Sequence, residues 1–278
     1  MKKSVIIIII IIIILLILLL VNISNITTKS NQICLIYNYY ERDDLYKENF
    51  IYFLENGIYE EVDYYIVING NCTVKIPKRK NVFVYYRKNV GYDFGAYSYA
   101  VNNKLIKNYD YYFFMNTSVR GPYLRDTNEK WYDHFIPLFN ANVHLVGTSI
   151  SICTSNAYCV YDDNYKRKTN PHIQTMFFGM DQQYFIELKN DHFFDEDEII
   201  KMDFTDLIKM KEVGLSQKAI EKGYNINCIL SKYRDLDYLT LDHDINETSL
   251  DGDPYFSDAY FGETIDPYEV IFFKTNRI

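Results

Sequence analysis

Apolar residues divide the chain into an unbroken N-terminal block and a longer part in which short apolar runs alternate with amphipathic ones. Residues 5–21 are all Val, Ile or Leu and include nine consecutive isoleucines, which show no amphipathic period. Roughly 17 to 25 apolar residues span a bilayer as a helix. A secretory signal peptide has a shorter apolar stretch followed by a small-residue cleavage site, and no such site follows here. The block therefore predicts a transmembrane anchor.

The charges that flank this block predict its orientation. Lys2 and Lys3 precede it, and only Lys29 lies close after it. Because positive charge favours the cytosolic side, we expect a single-pass type II membrane protein. Residues 1–30 would form a cytosolic stub, the anchor and a short stem. Residues 31–278 would form one globular domain, lumenal (of the endoplasmic reticulum or Golgi type) or exterior.

After residue 30, strand-like and helix-like patterns alternate. The pattern predicts helices over 45–54, 94–106, 131–139 and 182–188, and a short helix that Ser216 caps and Gly223 ends. It predicts strands over 33–37, 63–68, 81–86, 111–115, 144–150 and 173–178. Such alternation indicates an α/β fold, with a mostly parallel sheet sandwiched by helices. Ligands of such sheets bind beyond the carboxyl ends of the strands, so chemistry is expected just after each strand.

Charge argues against one class of partner. The chain has a formal net charge of −8, and its first 30 residues contain three lysines and no acidic residue. The predicted domain therefore carries −11, whereas a nucleic-acid binder needs a basic face.

Cysteines and glycosylation motifs add two smaller expectations. Cys153 and Cys159 close a short polar loop and would be able to pair in an oxidising lumen. Among the Asn-x-Ser/Thr motifs, those at Asn71 and Asn246 lie in turn-like stretches and are the better candidates for a glycan. The motif at Asn116 follows a predicted strand, and we expect it to stay unmodified.

Segment 89–97, Asn-Val-Gly-Tyr-Asp-Phe-Gly-Ala-Tyr, follows the third predicted strand and opens a helix. Gly91 and Gly95 permit close backbone approach, and the helix N-terminus offers free N–H groups to an anion. Asp93 is placed either to cap this helix or to contact a ligand, and spacing alone leaves both readings open.

Segment 110–122 places Asn116, Thr117, Ser118 and Arg120 after the fourth predicted strand. The planar guanidinium of Arg120 suits a diphosphate. A solvated turn is the alternative interpretation of this segment.

Together with residues 172–178 and 212–216, these segments resemble the glycosyltransferases of the rhamnan synthesis F family, which looks like a branch of the GT-A fold. The resemblance runs from about residue 33 to residue 233. Four segments in the same order are more specific than any one of them.

The resemblance implies an inverting enzyme, a hexosyl- or deoxyhexosyl-transferase, that uses a nucleotide-sugar donor and a glycan or glycoprotein acceptor. It implies Glu212 as catalytic base and places His172 and Gln174 at the acceptor or along the pocket. The donor-binding residues that it implies are Asn89, Gly91, Tyr92, Asp93, Asn116, Thr117, Ser118 and Arg120.

The family fold also implies Mn²⁺ or Mg²⁺ at an Asp-x-Asp motif, but that position reads Asn116-Thr117-Ser118. Hard cations prefer charged oxygen ligands, so the sequence argues against a strong metal site. Asn116, Ser118 and His243 are the candidate ligands.

Two alternative functions stay open. The first is an inactive glycan-binding or structural envelope protein of the same fold, and the second is a sugar hydrolase with two facing carboxylates.

Overall fold

The computed structural model describes residues 32–154 and 167–277. The predicted membrane anchor lies outside these residues, so its prediction is not examined by the structure. Within the described ranges, no helix combines the length and apolarity that crossing a membrane requires. Residues Gln32–Ile278 form one compact unit.

The strands of the described part form one central sheet and two small two-stranded sheets. They are β1 (Ile33–Tyr39), β2 (Val62–Asn69), β3 (Val82–Arg87), β4 (Tyr111–Asn116), β5 (Val119–Arg120), β6 (Val143–Gly147), β7 (Ile150–Cys153), β8 (Asn170–Ile173), β9 (Phe177–Asp181), β10 (Asn225–Cys228) and β11 (Phe273–Lys274). Seven of them form the central sheet in the order β10-β6-β9-β4-β1-β2-β3. The pairs are parallel except those of β9, which runs antiparallel to β4 and β6.

Helices connect and flank these strands. They are α1 (Asp44–Asn56), α2 (Tyr92–Asn102), α3 (Trp131–Phe135), α4 (Gln182–Asn190), α5 (Glu196–Ile199), α6 (Phe204–Leu207), α7 (Gly214–Glu221) and α8 (Pro267–Val270). Short 3₁₀ turns span Ile136–Leu138 and Ser231–Tyr233, and a π-helical segment spans Ile208–Val213. The predicted α/β fold with a mostly parallel sheet is confirmed.

Three predicted boundaries were wrong. The run 144–150 ends as a strand at Gly147, and a separate strand begins at Ile150. The run 173–178 is likewise divided between β8 and β9. The helix predicted over 94–106 ends at Asn102, because the left-handed backbone of Lys104, at φ 53°, cannot continue it.

An aromatic cluster anchors the C-terminal segment to the sheet. The rings of Phe177 and Phe272 stack with centroids 4.2 Å apart, and Trp131 packs edge-on against both. Trp131 is fully buried, and its indole N–H donates to the carbonyl of Gly57 at 3.2 Å. The burial of Phe272 therefore determines where the residues after it run.

The glycosylation motifs have different environments in the structure. Asn71 is exposed. Asn246 is 1% exposed, and its side-chain amide donates to the Tyr233 hydroxyl and to the Ala259 carbonyl. The expectation of a glycan on Asn246 was therefore wrong, because the amide nitrogen is enclosed and already bonded. Cys153 is disulfide-bonded, whereas Cys159 lies outside the described residues.

We expect Phe272→Ala to lower the free energy of unfolding by about 3–5 kcal/mol, as for other buried phenylalanines. The lost ring would also release the backbone of residues 273–277. Denaturant unfolding measures the first effect, and amide hydrogen exchange at Thr275 measures the second. Tyr268→Ala is the control, since Tyr268 is 45% exposed and its loss should cost under about 1 kcal/mol. Equal unfolding free energies for the two variants would contradict this account of the core.

Candidate functional site

A cavity of about 770 Å³ opens at the carboxyl ends of β1, β2 and β4. In the sheet, β2 and β3 follow on one side of β1, whereas β4 pairs with β1 on its other side, so the strand order reverses between β1 and β4. Ligands of open α/β sheets bind at such a switch in strand order. The cavity is lined by Asn38, Tyr40, Arg42, Tyr46, Asn69, Asn89, Tyr92, Asp93, Phe94, Asn116, Ser118, Ser151, His172, Gln174, Thr175, Met176, Phe204, Leu207, Ile208, Glu212, Val213, Asp253, Lys274, Asn276 and Arg277.

Asp93 is held by two side-chain amides from neighbouring strands. One carboxylate oxygen accepts from Asn38 Nδ2 at 2.5 Å, and the other accepts from Asn116 Nδ2 at 2.6 Å. Asn38 lies on β1 and Asn116 ends β4, so the carboxylate joins α2 to the two strands at the switch point. Charged acceptors make hydrogen bonds roughly twice as strong as neutral ones.

These amides are themselves oriented by further hydrogen bonds. Asn38 Oδ1 accepts from Asn69 Nδ2 at 2.9 Å, and Asn69 Oδ1 accepts from the Arg87 guanidinium at 2.8 Å. On the other side, Asn116 Oδ1 accepts from both the backbone N–H and the hydroxyl of Ser118. Both amides therefore have their oxygen occupied and their NH₂ group turned to Asp93.

Of the two interpretations of Asp93 that spacing left open, helix capping is wrong. The N-cap of α2 is Gly91, and no side chain caps the helix. Gly91 and Tyr92 both have left-handed backbone, at φ 70° and 52°, and this places Asp93 over the strand ends. Gly95 allows the close approach expected of it, since a Cβ there would lie 2.2 Å from the Val90 carbonyl oxygen.

Burial raises the pKa of Asp93 to about 6. The hydrogen bond from Asn116 opposes this shift, the charge of Glu212 adds to it, and Asn38 and Lys274 lower it. Because the folded-state pKa lies above the ordinary value of 3.8, ionised Asp93 disfavours the fold. Its contribution to stability is complete below pH 4 and is lost as the pH rises through 6.

Glu212 lines the same cavity as Asp93. It lies in the π-helical segment that leads directly into α7, and its Oε1 accepts from the Thr175 N–H at 3.4 Å. The sequence predicts a short helix that begins only after this point, with Ser216 as its N-cap. Instead Ser216 is buried within α7, and its hydroxyl accepts from the Ile173 N–H at 2.9 Å. Single π-helical turns are frequent at functional sites.

The structure also brings His172 and Gln174 to the cavity, and both make hydrogen-bond contacts within the domain. His172 Nδ1 lies 3.0 Å from the Asn170 carbonyl. Gln174 accepts from the Ser149 hydroxyl at 2.7 Å and donates to Asp253 at 3.0 Å. Gln174 therefore orients a third carboxylate of the cavity.

Four predicted site residues do not line the cavity: Gly91, Thr117, Arg120 and His243. Arg120 points to α1, where it donates to Glu48 at 2.9 Å and to Asn49 at 3.0 Å. The side chain of His243 is 70% exposed and contacts Asp242. The diphosphate contact of Arg120 and the metal role of His243 stay predictions, and the geometry places both residues outside the cavity.

Sequence reasoning missed the residues that the C-terminal part contributes. Asp253, Lys274 and Arg277 line the cavity, and Arg277 lies 3.5 Å from Asp253. Burial lowers the pKa of Lys274, while the negative charges of Asp253 and Glu212 oppose that shift. No local motif marks these residues, because a two-residue strand and the packing of Phe272 place them.

Comparisons with known proteins give a distant structural match. No family model and no curated protein matches the chain. Among solved structures, the chain is similar to the mannosyltransferase PcManGT from Pyrobaculum calidifontis in complex with GDP-Man and Mn²⁺, with a TM-score of 0.44 and 11% identity. The match covers 72% of this chain and 55% of that enzyme, so this chain spans about half of its length.

We expect the carboxyl of Asp93 to titrate near pH 6 in carbon-detected NMR. Glu212→Gln should lower this midpoint, because it removes a nearby negative charge, and Lys274→Met should raise it. Glu221→Gln changes an exposed glutamate at the end of α7 and should leave the midpoint unchanged. A midpoint near 4, or one that Glu212→Gln does not move, would contradict the geometry of the cavity.

Proposed function

We propose that this protein is a glycosyltransferase that moves a sugar from a nucleotide-sugar donor to a hydroxyl group of a glycan or glycoprotein. The observation that carries the proposal is the cavity at the strand switch point, where Asp93 and Glu212 enter from different elements. A volume of about 770 Å³ is within the ordinary range for small-molecule sites. The resemblance of four segments to rhamnan synthesis F glycosyltransferases, and hence a GT-A-like fold, is part of this proposal.

The donor would lie along the turn after β3. Asn89, Tyr92 and Asp93 line this side of the cavity. The Tyr92 and Phe204 rings stand 5.4 Å apart, and their residues are 48% and 55% exposed. The two ring planes are inclined at 54°, and each exposed ring face at the cavity rim offers an apolar surface on which a nucleobase or a sugar ring would pack. Asp93 would accept hydrogen bonds from donor hydroxyl groups in its ionised form.

Glu212 would be the general base. In an inverting transfer, the acceptor oxygen attacks the anomeric carbon from the face opposite the diphosphate, and the acceptor proton passes to the base. Glu212 accepts a single long hydrogen bond from the Thr175 N–H among the described residues, which leaves carboxylate lone pairs for the acceptor. Positioning and stabilisation of the leaving diphosphate would supply most of the remaining rate enhancement.

The Mn²⁺ or Mg²⁺ that a GT-A-like fold implies does not fit the side chains at the end of β4. Asn116 Oδ1 already accepts two hydrogen bonds from Ser118. Within residues 32–154 and 167–277, no three His, Cys, Asp or Glu side chains are grouped to hold a metal ion. We therefore derive no step of the transfer from a metal.

The missing Asp-x-Asp motif favours a second candidate function, an inactive glycan-binding or structural envelope protein of the same fold.

For either function we propose a type II membrane protein with its domain in a lumen or outside the cell. The apolar block of residues 5–21 and the lysines before it support this topology.

We expect Glu212→Gln to reduce transfer by a factor of about 10²–10⁴, since the amide keeps the size of the side chain but takes no proton. Donor affinity and melting temperature should change little. The measurement pairs a transfer assay and donor hydrolysis, across a panel of nucleotide sugars, with a thermal melt. Glu221→Gln is the matched control and should retain full activity. Equal turnover of Glu212→Gln and the wild type would remove Glu212 from the mechanism, and no turnover by the wild type on any donor would favour the glycan-binding alternative.

Topology is tested separately. Protease added to intact microsomes that contain the full chain should spare the domain, and detergent should expose it to cleavage. Digestion without detergent would overturn the type II assignment, whatever the enzyme activity.

A further inference from the structure

The C-terminal strand brings a lysine to the place where a metal would be expected. β11 pairs antiparallel with β5, and Lys274 is the register partner of Val119, the residue after Ser118. The backbone of the next residue, Thr275, donates to the Ser118 carbonyl at 2.9 Å. Asn49 holds both segments, since its amide donates to the Thr117 carbonyl and to the Thr275 hydroxyl. Lys274 is therefore held rigidly beside the segment that replaces Asp-x-Asp.

Lys274 makes no direct ion pair in the described part of the chain, although the charges of Asp253 and Glu212 act on it from a distance. Its Nζ makes no hydrogen bond or ion pair with any residue described, although the side chain lines the cavity. The other cations of the cavity are already paired: Arg42 with Asp43 at 2.7 Å, and Arg277 with Asp253 at 3.5 Å. A partly buried ammonium group without a direct hydrogen bond or ion pair is costly, so its Nζ is suited to contact an anion that arrives with a ligand.

The cavity otherwise disfavours anions. Asp93, Glu212 and Asp253 all line it, and their charges would repel a diphosphate. The raised pKa of Asp93 relieves part of this repulsion, because a fraction of that carboxyl is neutral near pH 6. Lys274 supplies the opposite charge at the end of β4, on the side where Ser118 lies.

We propose that Lys274 binds the diphosphate of the nucleotide-sugar donor, so that donor binding needs no divalent metal ion. This inference rests on the proposed glycosyltransferase function and names the group that takes the place of the metal. In the transfer, the bond between the anomeric carbon and the diphosphate oxygen breaks and its electron pair stays on that oxygen. The new bond joins the anomeric carbon to the acceptor oxygen, whose proton goes to Glu212. The ammonium group of Lys274 stabilises the negative charge that develops on the departing diphosphate.

The test is calorimetric titration of the full chain in detergent with ADP, CDP, GDP, TDP and UDP, in EDTA and in Mn²⁺. We expect at least one of these nucleoside diphosphates to bind in EDTA. Lys274→Met should weaken that binding by tenfold or more, and Lys274→Arg should restore most of it. Lys78→Met is the control, because Lys78 is exposed and lies outside the cavity.

The Asp93 titration midpoint in Lys274→Met is a second measurement. It distinguishes a loss of nucleotide binding from misfolding of the variant and from a change in the charge balance of the cavity. In Lys274→Met the Asp93 midpoint should rise, which shows that the variant is folded and its cavity intact. A raised midpoint with unchanged nucleotide affinity would overturn the inference, because Lys274 would then only balance the cavity carboxylates. Binding by the wild type in Mn²⁺ but not in EDTA would also overturn it and leave the glycosyltransferase proposal standing. Failure of the wild type to bind any of the five nucleotides under either condition would overturn both.

Discussion

The carboxylate of Asp93, enclosed beneath two asparagine amides, is the interaction on which the geometry of the site depends. It joins the start of α2 to the ends of β1 and β4, and these ends mark the point where the strand order reverses. Burial makes the ionised form costly, as the raised pKa shows, so the two amides must donate to it for the arrangement to persist. The hydrogen bonds behind them, from Arg87 through Asn69 to Asn38, keep those donors in one orientation. A partly buried acid that is held rigidly at the mouth of a cavity is typical of a functional position.

The second determinant is the C-terminal segment, which completes the cavity from outside the sheet. Phe272 enters the aromatic cluster on β9, and the residues after it lie across the turn between β4 and β5. Lys274 and Arg277 thereby join a cavity whose other walls come from the first part of the domain and from the π-helical segment. The acidic character of the domain makes Lys274 more significant, because in the proposed function its charge would offset the repulsion between the cavity carboxylates and an anionic donor. The same packing excludes Arg120, whose guanidinium is engaged by α1.

The sequence predicted the type of an element correctly where its apolar pattern continued over the whole element. The strands β1 and β2 are almost wholly buried, and their continuous apolar runs predicted them. The helical spacing of α1 and the Asn-Gly pair at its end predicted that helix. The pattern failed where one apolar run serves two elements. Residues 173–178 carry no charge and appear as one strand in the sequence. In the structure, Gln174 and Thr175 separate two strands. These two residues line the cavity, where Gln174 bonds Asp253 and the Thr175 N–H bonds Glu212. The π-helical turn at Glu212 was equally invisible, since it differs from an α-helix only in the spacing of its backbone hydrogen bonds.

By itself the sequence determined the α/β class and the segments that follow β3 and β4, and it predicts an apolar anchor and a domain too acidic for a nucleic-acid binder. These properties depend on composition and on periods of two to four residues, which a single chain displays directly. Only the tertiary structure decided what Asp93 contacts, that Arg120 is turned away, and that Lys274 lies beside Ser118. Those outcomes depend on contacts between residues that are distant in the chain, from 23 positions for Asp93 with Asn116 to 157 for Ser118 with Thr275. Their partners are selected by strand order and by the docking of Phe272, and neither leaves a local pattern in the chain.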